Sequence, residues 1–418
     1  MIHVVRRQVT PRVRAAVVPI PGLRSVATLV AFESGQWFEP RGGAGIARLT
    51  SQSLLRGTAT RIAAAWSEAL DSLGAGARLD VGAHAAFFSG QCLAEDLGAY
   101  LGLVADAVLH PAFPDAEVEL VRGQTLAEFE EDERDTRAVA DQTWRDLVDP
   151  EGHPGRTRSL GDQAVVRAAS VDGLRHFHRT SLLGGRAIVV IAGGIEPEAA
   201  CEAVGRALGE WPAGTPAPSP TVAPLRLGAS IRKDVVVPDK TQNDVVMGWV
   251  GLPRTDPRFA AARVTNMVFA QDTFASRAGH VVRDQLGLAY YVFSTVGTSL
   301  GQSPWTLRMG VNPENVERAI EVVEQELGKI LDGQVEDQDV ALAKDKLVGE
   351  LDVARESAGG VASLILEGEV YGLGDDQHVR YPGELGAVTK ADVIAVAREF
   401  LPLERRATAV AGPPLPKP

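Results

Sequence analysis

Cysteine is nearly absent: Cys92 and Cys201 are the only two in 418 residues. Two thiols cannot build a disulfide framework or a thiolate zinc site, and both read as small buried apolar residues. No basic block occurs, and the net charge of −12 disfavours a nucleic-acid partner. No apolar run reaches the length that a membrane-spanning helix needs. The opening "MIHVVRRQVTPRVRAAVVPI" lacks the continuous apolar stretch of a secretory signal. "AGGIEPEAA" follows a strand-like run but lacks the lysine and spacing of a phosphate loop. These absences predict a cytoplasmic protein with no membrane or nucleic-acid partner.

What is there is ordinary for a soluble globular chain: 45% hydrophobic and 23% charged residues. The length implies more than one domain. One segment, "PAGTPAPSPTVAPLRLGAS" at 212–230, is dominated by proline, glycine and small residues and reads as a linker. It separates a first domain, 1–211, from a second, 231–418. The two parts resemble one another. "AEDLGAYLGLVADAVLHPAFPDAEVELVRGQTLAEFEED" and "PENVERAIEVVEQELGKILDGQVEDQDVALAKDKLVGELDV" each open on an acidic and capping pair, Glu95–Asp96 in the first and Glu314–Asn315 in the second. Each then runs through an apolar-periodic helix, breaks, and starts a second long helix. The breaks hold Pro111 and Pro114 in one and Gly333 in the other. Glu117 aligns with Asp339, and Glu128 with Glu350, at one offset, which implies a duplicated domain. Strand-like runs precede the helix pairs: "SVATLVAFESG", "ARLDVGAHAAFFSGQCL" and "RAIVVIAGG", then "DVVMGWVGL", "LAYYVFSTVG" and "PWTLRMGV". The fold class expected is α+β: two tandem homologous domains, each a mostly antiparallel sheet with helices packed on one face.

Some residues invite a chemical reading and do not support one. His176 and His178 are two apart, so on a helix they point to different sides and cannot share a ligand. His84, among small and apolar residues of a strand, reads as a satisfied, partly buried histidine. No Ser/His/Asp or Cys/His arrangement points to a self-contained hydrolase.

Four stretches together carry a resemblance that covers nearly the whole chain. They are "GIARLTSQSLLRGT", "LVADAVLHPAFPDAEVELVRGQTLAEFEED", "SLGDQAVVRAASVDGLRHFHRTSLLGGRAIVVIAGGIEP" and "NMVFAQDTFASRAGHVVRDQLGLAYYVFS". The chain resembles the pitrilysin/insulinase-type zinc peptidases, in particular the short two-domain bacterial members related to mitochondrial processing peptidase. In that family the first helix carries an inverted zinc motif, His-x-x-Glu-His. Residues at i, i+3 and i+4 share one helix face, so two imidazoles hold zinc while the glutamate reaches the metal-bound water. In this sequence the histidine positions are Arg48 and Gln52, the general-base position is Ser51, and the downstream ligand position is Glu128. Arginine offers no lone pair and repels a cation, glutamine is a poor zinc ligand, and serine is no base near neutral pH. Metal binding is therefore expected of none of them, and Glu128 reads as a solvated member of the acidic run "EFEEDERD".

The second half keeps what the first has lost. "RDQLGLAYYVF" places Arg283 and Tyr290 at the spacing of the family's arginine–tyrosine motif. On composition alone, Arg283 would be a surface ion-pair residue and Tyr290 a strand-core residue. The resemblance implies instead that they hold the substrate carbonyl and the oxyanion of the tetrahedral intermediate, where a guanidinium and a phenol are strong donors. The family usually has glycines where Ala270, Gln271 and Asp272 stand, so a reshaped loop is expected. The resemblance thus implies a non-zinc subunit of a heterodimeric zinc metallopeptidase, inactive alone. It would hold no cofactor of its own. Zinc would lie in a homologous partner with an intact His-x-x-Glu-His motif, and the substrate would be an extended peptide. The alternative is a non-catalytic scaffold or peptide-binding subunit of the same fold.

Overall fold

A computed structural model of the 418-residue chain describes residues 2–158, 160–212, 222 and 224–416. Among them the strands form two sheets. The first contains β1 (Val5–Gln8), β2 (Val13–Pro19), β3 (Ser25–Phe32), β4 (Gly76–Val81), β5 (Ala86–Leu93) and β6 (Ala187–Gly193), in the order β1-β2-β6-β3-β5-β4. The second contains β7 (Ile231–Val236), β8 (Asn243–Val250), β9 (Ala289–Val296), β10 (Pro304–Val311) and β11 (Ala407–Gly412), in the order β7-β11-β8-β10-β9. Apart from β1, the two orders match strand for strand. Each sheet has one parallel pair, β2–β6 or β7–β11, and is otherwise antiparallel. The duplication read from the helix pairs therefore holds for the sheets as well. The stretch "ARLDVGAHAAFFSGQCL" is not one strand but the β4–β5 hairpin, with His84 in its turn.

Side-chain alternation makes both sheets two-faced. Val13, Ala15 and Val17 of β2 enter one core, whereas Ala16 and Val18 enter another on the opposite face. The larger core of the first sheet is completed by helix Leu97–Leu109, which buries Tyr100, Leu101 and Val104. Helix Asp115–Asp132 follows after a turn. In the second sheet helices Val316–Leu331 and Asp337–Arg355 take the same places in the order of elements. Both second helices begin at the separation that relates Glu117 to Asp339.

The opposite face of each sheet is covered by one further helix, and here the contiguous domains expected from the sequence need correction. The first compact unit comprises Met1–Phe129, Thr157–Thr221 and Asp352–Val379; the second comprises Glu130–Arg156, Val222–Leu351 and Arg380–Pro418. Helix Thr136–Val148 thus belongs to the second sheet, and helix Ala358–Tyr371 to the first. Small residues let these helices approach closely. Ala407, Ala409 and Ala411 lie under Ala140 and Trp144 in one unit, and Ala16, Ala31 and Ala192 pack with Val361, Ala362 and Ile365 in the other. A Cβ added at Gly248 would come within 2.5 Å of the Trp144 indole, so glycine is required there. Each large apolar side chain so buried contributes roughly 1.5–3 kcal/mol. Most of the linker expected at 212–230 lies outside the described residues.

Candidate functional site

The motif helix is short, Ile46–Ser53, and belongs to the first unit. Gly45 enters it at φ +107, a conformation that favours glycine. The first turn has no serine or aspartate cap. Its amides are met from outside: the Glu39 carboxylate accepts from Gly45 N at 2.8 Å and Ala47 N at 2.9 Å. Burial raises the Glu39 pKa to about 7, against the lowering pull of these two amides. Ala47, Leu49 and Leu54 are fully buried and fix the helix to its core. Arg48 and Gln52, one turn apart, are half-buried, and Ser51 is buried.

Arg48 Nη2 donates to Glu128 Oε2 at 2.5 Å. Glu128 is therefore not simply a solvated member of its acidic run, as the sequence suggested. The resemblance lays both residues on zinc-ligand positions, and here one supplies a positive charge to the other. Arg48 Nε is buried without an acceptor among the described residues. This donor set does not fit zinc, because the place beside the one remaining carboxylate is filled by a permanently protonated group. Among the described residues no cluster of three or more His, Cys, Asp or Glu could hold a metal ion.

The Arg/Tyr segment lies in the second unit. Arg283 sits in a π-helical turn, His280–Gln285, which ends at Gly287 with φ +60. The chain then enters β9. Along the β9–β10 ladder Gly310 faces Tyr291 and Val311 faces Ala289, so Tyr290 is an extra residue with no partner across the ladder. A bulge of this kind re-aims a side chain. Tyr290 is 73% exposed, and its hydroxyl has no hydrogen-bond partner among the described residues. It is not the strand-core residue that composition alone would suggest. Its neighbour Tyr291 is committed: it donates to Asp244, accepts from Arg137 Nε at 3.2 Å, and has its pKa raised by burial and by Asp244. Of two adjacent tyrosines, only Tyr290 is available to a ligand.

Arg283 has no acidic partner among the described residues; adjacent Asp284 faces His280 instead. The Arg283 guanidinium lies 4.4 Å from the centroid of the Phe274 ring and 5.8 Å from that of Tyr290. The loop where the family usually has glycines is tied down. Asp272 Oδ1 accepts from Phe274 N at 2.8 Å and Ala275 N at 3.0 Å, and Asp272 pairs with Lys346. Sequence reasoning named neither Phe274 nor Glu39. A large aromatic between polar residues in "QDTFAS" was the available signal for the first.

The remaining histidines are structural or exposed. His178 is buried with Nε2 2.7 Å from Val108 O, while His176 is exposed. His84 packs edge-on to Trp37 at 4.2 Å, and burial lowers its pKa to about 4. Cys92 and Cys201 are buried and free, as expected, and burial raises the Cys92 thiol to about 11.

Residues 15–148 match the family described as insulinase (peptidase family M16), and residues 168–347 match the family described as peptidase M16 inactive domain. The chain belongs to the insulinase (M16) family. The inactive-domain match contains Arg283 and Tyr290. Among relatives, an uncharacterized zinc protease of Streptomyces coelicolor is 25% identical over 99% of this chain and 90% of its own length. An uncharacterized zinc protease of Bacillus subtilis is 22% identical over 91% of each chain. Two solved structures share the fold. A peptidase M16 inactive domain from Pseudomonas fluorescens has a TM-score of 0.92 at 20% identity, covering 100% of this chain and 99% of that one. A protease from Helicobacter pylori has a TM-score of 0.90 at 16% identity, covering 99% and 100%. No helix among the described residues is long and apolar enough to cross a membrane.

Proposed function

We propose that this chain is the non-zinc subunit of a heterodimeric M16 peptidase. Its partner is a homologous subunit with an intact His-x-x-Glu-His motif, and this chain supplies Arg283 and Tyr290 to the partner's zinc site. The observation that carries the reading is the bulge at Tyr290. It leaves a phenol hydroxyl unclaimed and exposed beside an arginine with no acidic partner among the described residues. Donors kept in this condition suit a site where negative charge develops on a substrate oxygen. Arg283 would hold the peptide, and Tyr290 Oη would donate to the carbonyl oxygen as it gains charge. The closed Arg48–Glu128 pair accounts for the need of a partner. An extended peptide would add to the β4 edge, which carries no neighbouring strand among the described residues and lies beside the motif helix.

The test is reconstitution with an M16 homologue that keeps the zinc motif, followed by peptide turnover. Removing one preorganised oxyanion donor costs on the order of 10²–10³ in rate. Tyr290→Phe should lose this much while the complex assembles and keeps its zinc. Arg283→Ala should lose at least as much. Both variants assembling and turning over at the wild-type rate would leave the scaffold reading in place of this one.

A further inference from the structure

Phe274 stands out because 61% of it is exposed although its backbone is tied down. The loop that carries it leaves helix Phe259–Phe269 and is fastened at several points. Asp272 accepts from the amides of Phe274 and Ala275 and pairs with Lys346 on helix Asp337–Arg355. Ser276 Oγ donates back to Asp272 O. Thr273 Oγ1 donates to Val292 O of β9 at 2.8 Å, and Ser294 N donates to Ala270 O at 2.7 Å. A large apolar ring is thus presented to solvent by a turn that cannot easily withdraw it. The Arg283 guanidinium lies over it at 4.4 Å from the ring centroid, and the Tyr290 ring centroid is 5.8 Å from the same guanidinium. An arginine side chain has four rotatable bonds, and an unpaired one on a surface samples many of them. A ring face fixed against the guanidinium removes much of that freedom and leaves the N–H edge free.

We infer that Phe274 is a positioning residue: its ring holds the Arg283 guanidinium in the plane from which it meets substrate. This rests on the reading of Arg283 given above, and it adds that the turn carrying Phe274, fastened through Asp272, Thr273 and Ser276, places Arg283. Phe274 acts through Arg283 and touches no reacting atom.

Two measurements test it. In the reconstituted complex, Phe274→Ala should lower kcat/KM by about two- to fivefold, the size of an exposed cation–π contact. Phe274→Tyr keeps a ring face and should retain the wild-type value; Phe274→Leu keeps bulk without a ring and should behave as alanine. In the Arg283→Ala background, Phe274→Ala should have no further effect. In the isolated chain, Arg283 side-chain resonances should carry a ring-current shift that Phe274→Leu reduces to the part left by Tyr290 and Phe274→Tyr preserves. Full activity of Phe274→Leu, or an equal loss with and without Arg283, overturns the inference. So does an unchanged Arg283 resonance. Should Arg283→Ala itself turn over at the wild-type rate, the catalytic reading of Arg283 falls, while the resonance still decides whether the ring places it.

Discussion

The motif helix of the first unit and the Arg/Tyr turn of the second differ in how their polar groups are used. Around the motif helix the charges are closed upon one another. Arg48 is spent on Glu128, and Glu39 is spent on the helix amides. Around the Arg/Tyr turn, the neighbouring polar groups are closed upon one another, while Arg283 and Tyr290 are left open. Asp272 is spent on its own turn and Lys346, Tyr291 on Asp244, and Asp284 faces His280. Arg283 and Tyr290 keep their donors free among the described residues. The difference teaches that a retained backbone is not a retained site. Both helical segments are well packed, and only the distribution of unclaimed polar groups distinguishes them.

The largest effect should come from putting metal-ligating side chains on the first segment. The variant Arg48→His, Ser51→Glu, Gln52→His returns two imidazoles and a carboxylate to one helix face and frees Glu128. It should hold about one zinc per chain after dialysis, because the helix geometry is already present. Zinc content no higher than wild type would mean that the backbone at Ile46–Ser53 has lost the motif's geometry as well as its side chains.

A smaller effect concerns Glu39. Its folded pKa is raised above the unfolded value of 4.5, so its favourable contribution is complete below pH 4.5 and is lost as pH rises through about 7. The wild type should therefore lose about 2–3 kcal/mol between pH 5 and pH 8 from this group. Glu39→Gln keeps an acceptor for the two amides and removes the charge, so it should lose less stability over that interval. Urea midpoints at the two pH values measure it. Identical pH slopes would mean that the carboxylate is well solvated.

The smallest effect concerns the ion pair. Glu128 is 43% exposed and Arg48 22%, so solvent screens the pair and limits its worth. Glu128→Gln should lower stability by about 1 kcal/mol or less and leave the turnover of a reconstituted complex unchanged. A large loss of turnover would bring the first segment back into the chemistry.

Much of this was legible in the sequence. The repeat was readable because apolar periodicity and the Glu117–Asp339 offset survive in both halves. The helix exchange was not: "TRAVADQTWRDLV" shows that Ala140 and Trp144 share an apolar face, but periodicity does not say which sheet they cover. The β4–β5 hairpin was missed because "VGAHAA" carries no Asn-Gly or Asp-Gly turn signal. Strands β1, β2, β7 and β11 gave no separate signal either; β7 is exposed along nearly its whole length. The resemblance to the family singled out Arg48, Ser51, Gln52, Glu128, Arg283 and Tyr290 as candidates. Partnership could not be read that way. Arg48 and Glu128 lie 80 residues apart, and the bulge that frees Tyr290 depends on Gly310 and Val311 of β10.

On the proposed reading, the chemistry must come from a second chain. The direct measurement is zinc content and peptide turnover of the purified chain, alone and after mixing with a zinc-motif homologue. Alone, it should hold no stoichiometric zinc and cleave no peptide in a fluorogenic panel; mixed, the complex should carry about one zinc per heterodimer and cleave in a chelator-sensitive way. One tightly held zinc per isolated chain, with chelator-sensitive cleavage, would contradict it.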